Sequence, residues 1–118
     1  MPVVTVRINT RLRKGKRLRL LSEVTDVVSS ILEKPSRTVM ASCHHADIIL
    51  GLSTGPAAFF DIQSIGAISK ETSSVICHRL HDILSGYLKV DPKRIYINFT
   101  DVRPRDAWKF VDGCAVCP

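Results

Sequence analysis

Glu33-Lys34-Pro35-Ser36-Arg37-Thr38-Val39-Met40 and Val90-Asp91-Pro92-Lys93-Arg94-Ile95-Tyr96-Ile97 read as two copies of one passage. Pro35 aligns with Pro92 and Arg37 with Arg94, a shift of about half the chain. Each copy follows apolar residues at helical spacing and precedes an alternating pattern. The sequence therefore predicts two βαβ-like halves rather than an array of short repeats. The residue before a proline is pushed out of the helical region, so each helix ends short of Pro35 and Pro92.

Working outward, Leu20, Leu21, Val24, Val27, Val28, Ile31 and Leu32 form one helical stripe, and Ile76, Leu80, Ile83, Leu84, Tyr87 and Leu88 form another. Ser69 suits the N-cap of the second helix, with Glu71 in its first turn favoured by the helix dipole. Four segments alternate instead. Val4, Val6 and Ile8 oppose Thr5 and Arg7; Val39, Ala41 and Cys43 share a side; so do Ala58, Phe60 and Ile62; Ile95, Ile97 and Phe99 oppose Tyr96, Asn98 and Thr100. The fold expected is α+β, a mixed four-stranded sheet with two helices on one face. Each crossover should be right-handed. The other sheet face carries Thr5, Arg7, Ser42, Asp61 and Gln63, too polar for a second dry core. It suits solvent or a wet interior between subunits.

The 118 residues contain no linker rich in proline, glycine or serine, so one domain, 1–118, with an internal pseudo-two-fold repeat is expected. Apolar residues make up 45% and charged residues 24%, an ordinary globular balance. No apolar run is long enough to span a membrane, and the start lacks the basic and apolar regions of a signal peptide. A cytoplasmic location is the expectation, with leaderless secretion the route out if the protein leaves the cell. Net charge is +6, much of it in Arg11, Arg13, Lys14, Lys16, Arg17 and Arg19. No aromatic residues interleave that run to stack on bases, so it reads as a solvated surface and neither nucleic acid nor membrane insertion is expected.

Cys43 and Cys77 lie in apolar segments and read as buried thiols. Cys114-Ala-Val-Cys117 has redox or metal spacing, but no second pair completes a zinc site, and chain ends are usually loose. His44-His45, and His78 with His81, are too few convergent ligands for a metal.

An ordered set of residues spans nearly the whole chain: Met1-Pro2 opening into a strand, Lys34-Pro35 after the first helix, Ser64-Ile65-Gly66 after the third strand, Asp91 to Phe99 near the end, and Trp108 beyond it. That set resembles the macrophage migration inhibitory factor and D-dopachrome tautomerase family. The resemblance implies a homotrimer with sheets around a central channel, active sites at subunit interfaces, and tautomerisation of aromatic α-keto acids such as phenylpyruvate without metal or organic cofactor. It implies Pro2 as catalytic base once Met1 is removed, Lys34 on the substrate carboxylate, Ile65 as backbone donor, Tyr96 and Asn98 from the neighbouring subunit, and Trp108 as an aromatic wall. It also implies the alternative of a cytokine-like protein that binds a receptor and keeps weak or vestigial tautomerase activity.

The chain departs from the family at identifiable places. The family tail Gly-Trp-Asn-Gly-Ser-Thr-Phe is here Ala107-Trp108-Lys109-Phe110-Val111-Asp112-Gly113, so its phenylalanine falls on Gly113, and Phe110 stands at the wrong spacing to replace it. Many relatives have tyrosine where Thr38 stands. The family's central thiol pair falls on Ala57 and Phe60, so thiol reductase chemistry is not expected. The chemistry itself requires a base with a pKa near the working pH. An N-terminal amine starts lower than a lysine, and burial with a nearby cation lowers it further. The proline ring also holds that nitrogen rigidly at the strand start.

Overall fold

Alternation puts Val4, Val6 and Ile8 on one side of β1 (Val3–Ile8), and all three are buried. The computed structural model describes residues 1–117. After β1 come α1 (Lys14–Leu32), β2 (Met40–His45), β3 (Ala58–Ser64), α2 (Lys70–Ser85) and β4 (Ile95–Asp101). A short hairpin, β5 (Lys109–Val111) and β6 (Cys114–Val116), follows. The main sheet has the order β2-β1-β3-β4. β1 is parallel to β2 and antiparallel to β3, and β3 is parallel to β4.

Both helices cover one face of this mixed sheet. Leu20, Val24, Val28 and Leu32 of α1, and Ile76, Leu80 and Leu84 of α2, form a single core with Val4, Val6, Ile8, Ala58, Phe60 and Ile62. Ala41, Cys43, Ile95, Ile97 and Phe99 on the outer strands pack against its margin. The second helix is shorter than its apolar stripe: it closes at Gly86, and Tyr87 and Leu88 lie beyond it. Leu88 still reaches the core, while the Tyr87 hydroxyl donates to Glu23 Oε2 at 2.6 Å. Cys43 and Cys77 are half-buried rather than enclosed, and desolvation pushes both thiols up from their ordinary pKa.

The repeat is regular, but its register differs by one residue from the alignment of identical letters. Helices start at Lys14 and Lys70, and single 3-10 turns span Ser36–Thr38 and Pro92–Arg94, so both shifts are fifty-six positions. The same shift carries Leu20, Val24, Val28 and Leu32 onto Ile76, Leu80, Leu84 and Leu88. It pairs Pro35 with Asp91, not with Pro92. Pro35 precedes its turn at φ −57, and Asp91 does so at φ −60 while Pro92 begins the turn itself. Proline's fixed φ suits both places, which is why matched prolines mislead by one.

The helix termini are built differently. Ser69 caps α2: its hydroxyl accepts from the Thr72 N–H, and the Thr72 hydroxyl accepts from the Ser69 N–H. This is a capping box made with threonine in place of the usual glutamate. The corresponding position on α1 is Arg13, whose side chain makes no capping bond, and no acidic residue occupies the first turn. Tertiary packing of its stripe therefore holds α1 in place. Arg94 ties the loop before β3 through the carbonyls of Ser53, Gly55 and Pro56, and Asn9 holds the same loop at Gly55 and Ala57.

The chain end is ordered into structure that the sequence reading does not anticipate. Asp112 and Gly113, at φ 50 and 79, make a two-residue hairpin turn between β5 and β6. Two positive φ values are the signature of the turn whose twist suits paired strands, and Asp-Gly is a preferred sequence for it.

Candidate active site

Pro2 is fully buried immediately before β1. Its carbonyl accepts from the Met40 N–H at 3.0 Å, fixing it to the start of β2. The register of β1 with β3 puts Pro2 level with Ser64, also fully buried. The Ser64 hydroxyl has no hydrogen-bond partner among the described residues. A polar atom left bare beside the candidate base is unusual in a folded interior.

Lys34 is placed by the way α1 ends. Glu33 turns into the left-handed region at φ 54, and the Lys34 N–H then donates to the Ser29 carbonyl at 3.0 Å. The Ser29 hydroxyl donates back to the Lys34 carbonyl at 2.5 Å. Held at both backbone atoms, Lys34 sends its ammonium across to the carbonyl of Ile65 at 3.2 Å. The helix end thus meets the end of β3, and Lys34 and Ile65, far apart in sequence, come together. The neighbouring Gly66 adopts φ 71, and its N–H donates to Asp101 Oδ1.

The N-terminal amine lies close to this group. In the unprocessed chain it belongs to Met1. Its pKa is lowered by desolvation first, then by the positive charges of Lys34 and Lys109. Lys109 is absent from the residues expected from the sequence. It begins β5, paired with Val116, and with Met1, Val3, Arg37, Thr38 and Met40 it lines a cavity of about 280 Å³. The signal that could have exposed it was the Asp112-Gly113 turn, which makes the segment a hairpin and so fixes Lys109.

Tyr96 and Asn98 are not brought to Pro2 by the chain's own fold. Tyr96 pairs across β3 at Phe59, which pairs with Arg7 on β1. Five strand residues and two strand spacings therefore separate it from Pro2, roughly 17 Å along and about 10 Å across. Its side chain is 60% exposed on the face away from the helices. Asn98, on the same face, donates to Asp61 Oδ1 at 3.1 Å. The polar face expected from alternation is real: Arg7 lies over the Phe59 ring at 5.8 Å, with Asp61, Asn98 and Thr100 beside it. Trp108, one residue before Lys109, is 60% exposed and donates its indole N–H to the Arg105 carbonyl at 3.0 Å. Phe110 is exposed.

The profile of the family described as Macrophage migration inhibitory factor (MIF) matches residues 1–111. The chain belongs to the macrophage migration inhibitory factor family. Macrophage migration inhibitory factor of Xenopus laevis is 32% identical over 103 residues, covering 86% of this chain and 89% of that protein. Two solved structures of macrophage migration inhibitory factor, each 27% identical, share the fold. That of Toxoplasma gondii has a TM-score of 0.86 and covers 93% of this chain and 96% of its own; that of Trichinella spiralis scores 0.79, covering 97% and 99%. The family match takes in Pro2, Lys34, Ile65, Tyr96, Asn98, Trp108 and Lys109, and stops before Cys114 and Cys117. Those two cysteines do not form a compact motif. Cys114 begins β6, Cys117 lies just beyond its end, and both are free, exposed thiols.

Proposed function

We propose that the protein is a keto–enol tautomerase for aromatic α-keto acids of the phenylpyruvate kind, with the Pro2 nitrogen as general base after loss of Met1. The observation that carries this reading is Pro2 fully buried at the start of β1, beside a chain end whose amine pKa is lowered by burial and by the charge of Lys34, the Lys34 ammonium itself being anchored at the Ile65 carbonyl. Desolvation and like charge both favour the neutral amine, the form able to accept a proton. Lys34 holds the substrate carboxylate. The Pro2 nitrogen takes a proton from C3, the C–H electron pair becomes the C2=C3 double bond, and the carbonyl electrons move onto oxygen. The new ammonium, or solvent, returns a proton to that oxygen. Fixed donors such as the Ile65 N–H stabilise the developing enolate.

Tyr96 and Asn98 reach a Pro2 only if a second copy supplies them, because β4 is two strands from β1 and they stand level with Arg7 and Thr5 rather than with Pro2. A homotrimer, with Trp108 walling the aromatic side of each site, satisfies this. The test is phenylpyruvate tautomerisation by protein whose mass shows Met1 removed, alongside sedimentation at micromolar concentration. Turnover by a species of three chain masses is expected. Full activity in protein that retains Met1, or in a clean monomer, overturns the mechanism.

A second reading, a cytokine-like receptor-binding role, is favoured by a groove of about 610 Å³ between the helices. Lys16, Arg19 and Arg79 line it with Glu23 and Asp82. A folded trimer inactive on every α-keto acid tried would favour that role.

A further inference from the structure

The cations around the N-terminal amine outnumber what one carboxylate requires. Lys34, anchored at the Ile65 carbonyl from the end of α1, acts on the amine by its charge, Arg37 stands on the turn before β2, and Lys109 comes from the hairpin. Arg37 and Lys109 line the same cavity as Met1. None of the three has a carboxylate within ion-pair distance among the described residues, where the ion pairs are His81–Asp82 and those of Arg103 and Arg105 with Asp106. Among the described residues these cations have no anionic partner, so their mutual repulsion favours an anion bound between them. Within one chain the remaining lining of this cavity is Val3, Met40 and Thr38. Loss of Met1 frees further room in this cavity.

We infer that the preferred substrate is a short 2-oxo dicarboxylate, whose carboxylate beside the carbonyl pairs with Lys34 and whose far carboxylate pairs with Lys109 and Arg37. This rests on the tautomerase reading, its base and its substrate lysine, and adds a second substrate class that the site favours over aromatic α-keto acids. Aromatic α-keto acids are turned over through the same base, but they leave Lys109 and Arg37 unpaired. The guanidinium of Arg37 suits a carboxylate through two parallel N–H donors, and the Lys109 ammonium acts as a point charge. Lys109 also lowers the pKa of the amine. That effect is common to both substrates and cancels in a ratio of rates.

The experiment measures kcat/KM for the enol forms of oxaloacetate and phenylpyruvate with Met1-free protein, Lys109→Gln, Arg37→Gln and Lys109→Arg. The wild-type protein should favour oxaloacetate. Lys109→Gln and Arg37→Gln should each shift the ratio toward phenylpyruvate by about tenfold, as expected for one charge-assisted contact of about 1.4 kcal/mol. Lys109→Arg should restore the wild-type ratio. A ratio unmoved by both glutamine variants, or a wild-type preference for phenylpyruvate, overturns the dicarboxylate inference and leaves the tautomerase reading standing. Turnover of neither acid overturns both.

Discussion

The two halves of the chain share elements at a shift of fifty-six and differ in what they carry at matching positions. Pro2 corresponds to Ala58 and Lys34 to Val90. At the helix starts the contrast reverses: Arg13 in the first half makes no cap, while Ser69 in the second makes a capping box. The first half holds the candidate base, the substrate lysine and a poorly capped helix; the second holds neither of those two at the matching positions and has a well-capped helix. The repeat specifies the architecture, and its exceptions mark the site.

The largest test removes the first exception. In Pro2→Gly the nitrogen remains an amine but loses the ring that fixes it, and kcat/KM should fall about a hundredfold, within the range for a general base. Stopped assays on Met1-free protein measure this. Next, Lys34→Val copies Val90 into the first half. It should cost about tenfold in kcat/KM, the value of one charge-assisted contact. It should also move the acid limb of the pH profile upward. The base works unprotonated, so activity rises with pH through the amine's pKa, and removing a cation that lowers this pKa shifts the rise to higher pH.

Smaller effects concern stability. Ser69→Ala should lose about 1 kcal/mol, and Arg13→Ser, which transfers the cap, should recover a few tenths to about 1 kcal/mol, both read by urea unfolding. If Arg13→Ser gains nothing, the two helix starts are not equivalent. Smallest is Glu33→Gly. A non-glycine residue at φ 54 is strained by about 1–2 kcal/mol. Glycine's greater unfolded entropy offsets part of that, leaving a net gain of roughly 0.5 kcal/mol.

Most of the fold was legible because it depends on periodicity. The stripe from Leu20 to Leu32 and the alternation of Val4, Val6 and Ile8 have one burial solution each, and Ser69 announces its helix. The register of the repeat was less legible, since proline satisfies two adjacent places in a turn. The hairpin was readable from Asp112-Gly113, but its three-residue strands are too short to show alternation. Within the candidate site, Lys34 and Ile65 converge because the end of α1 and the end of β3 are neighbours, a fact of topology that a resemblance supplies and composition does not. Lys109 was legible only through the Asp112-Gly113 turn, which places it on a hairpin without showing what it faces. Its meaning comes only from what lies across the cavity.

The sheet order leaves β2 and β4 each bonded on one side only. Neither outer margin carries proline within the strand, and β4 runs seven residues, Ile95–Asp101, with three bulky apolar side chains on its inner face. Rows of open amides and carbonyls of that length recruit further strands. A lone chain is therefore vulnerable to self-templated stacking at both flanks; if copies assemble as proposed and cover those margins, the time before assembly sets how much newly made protein is lost to precipitate. Slow dilution during refolding, which lengthens that interval, should lower the recovered yield more than any single loss of helix capping does.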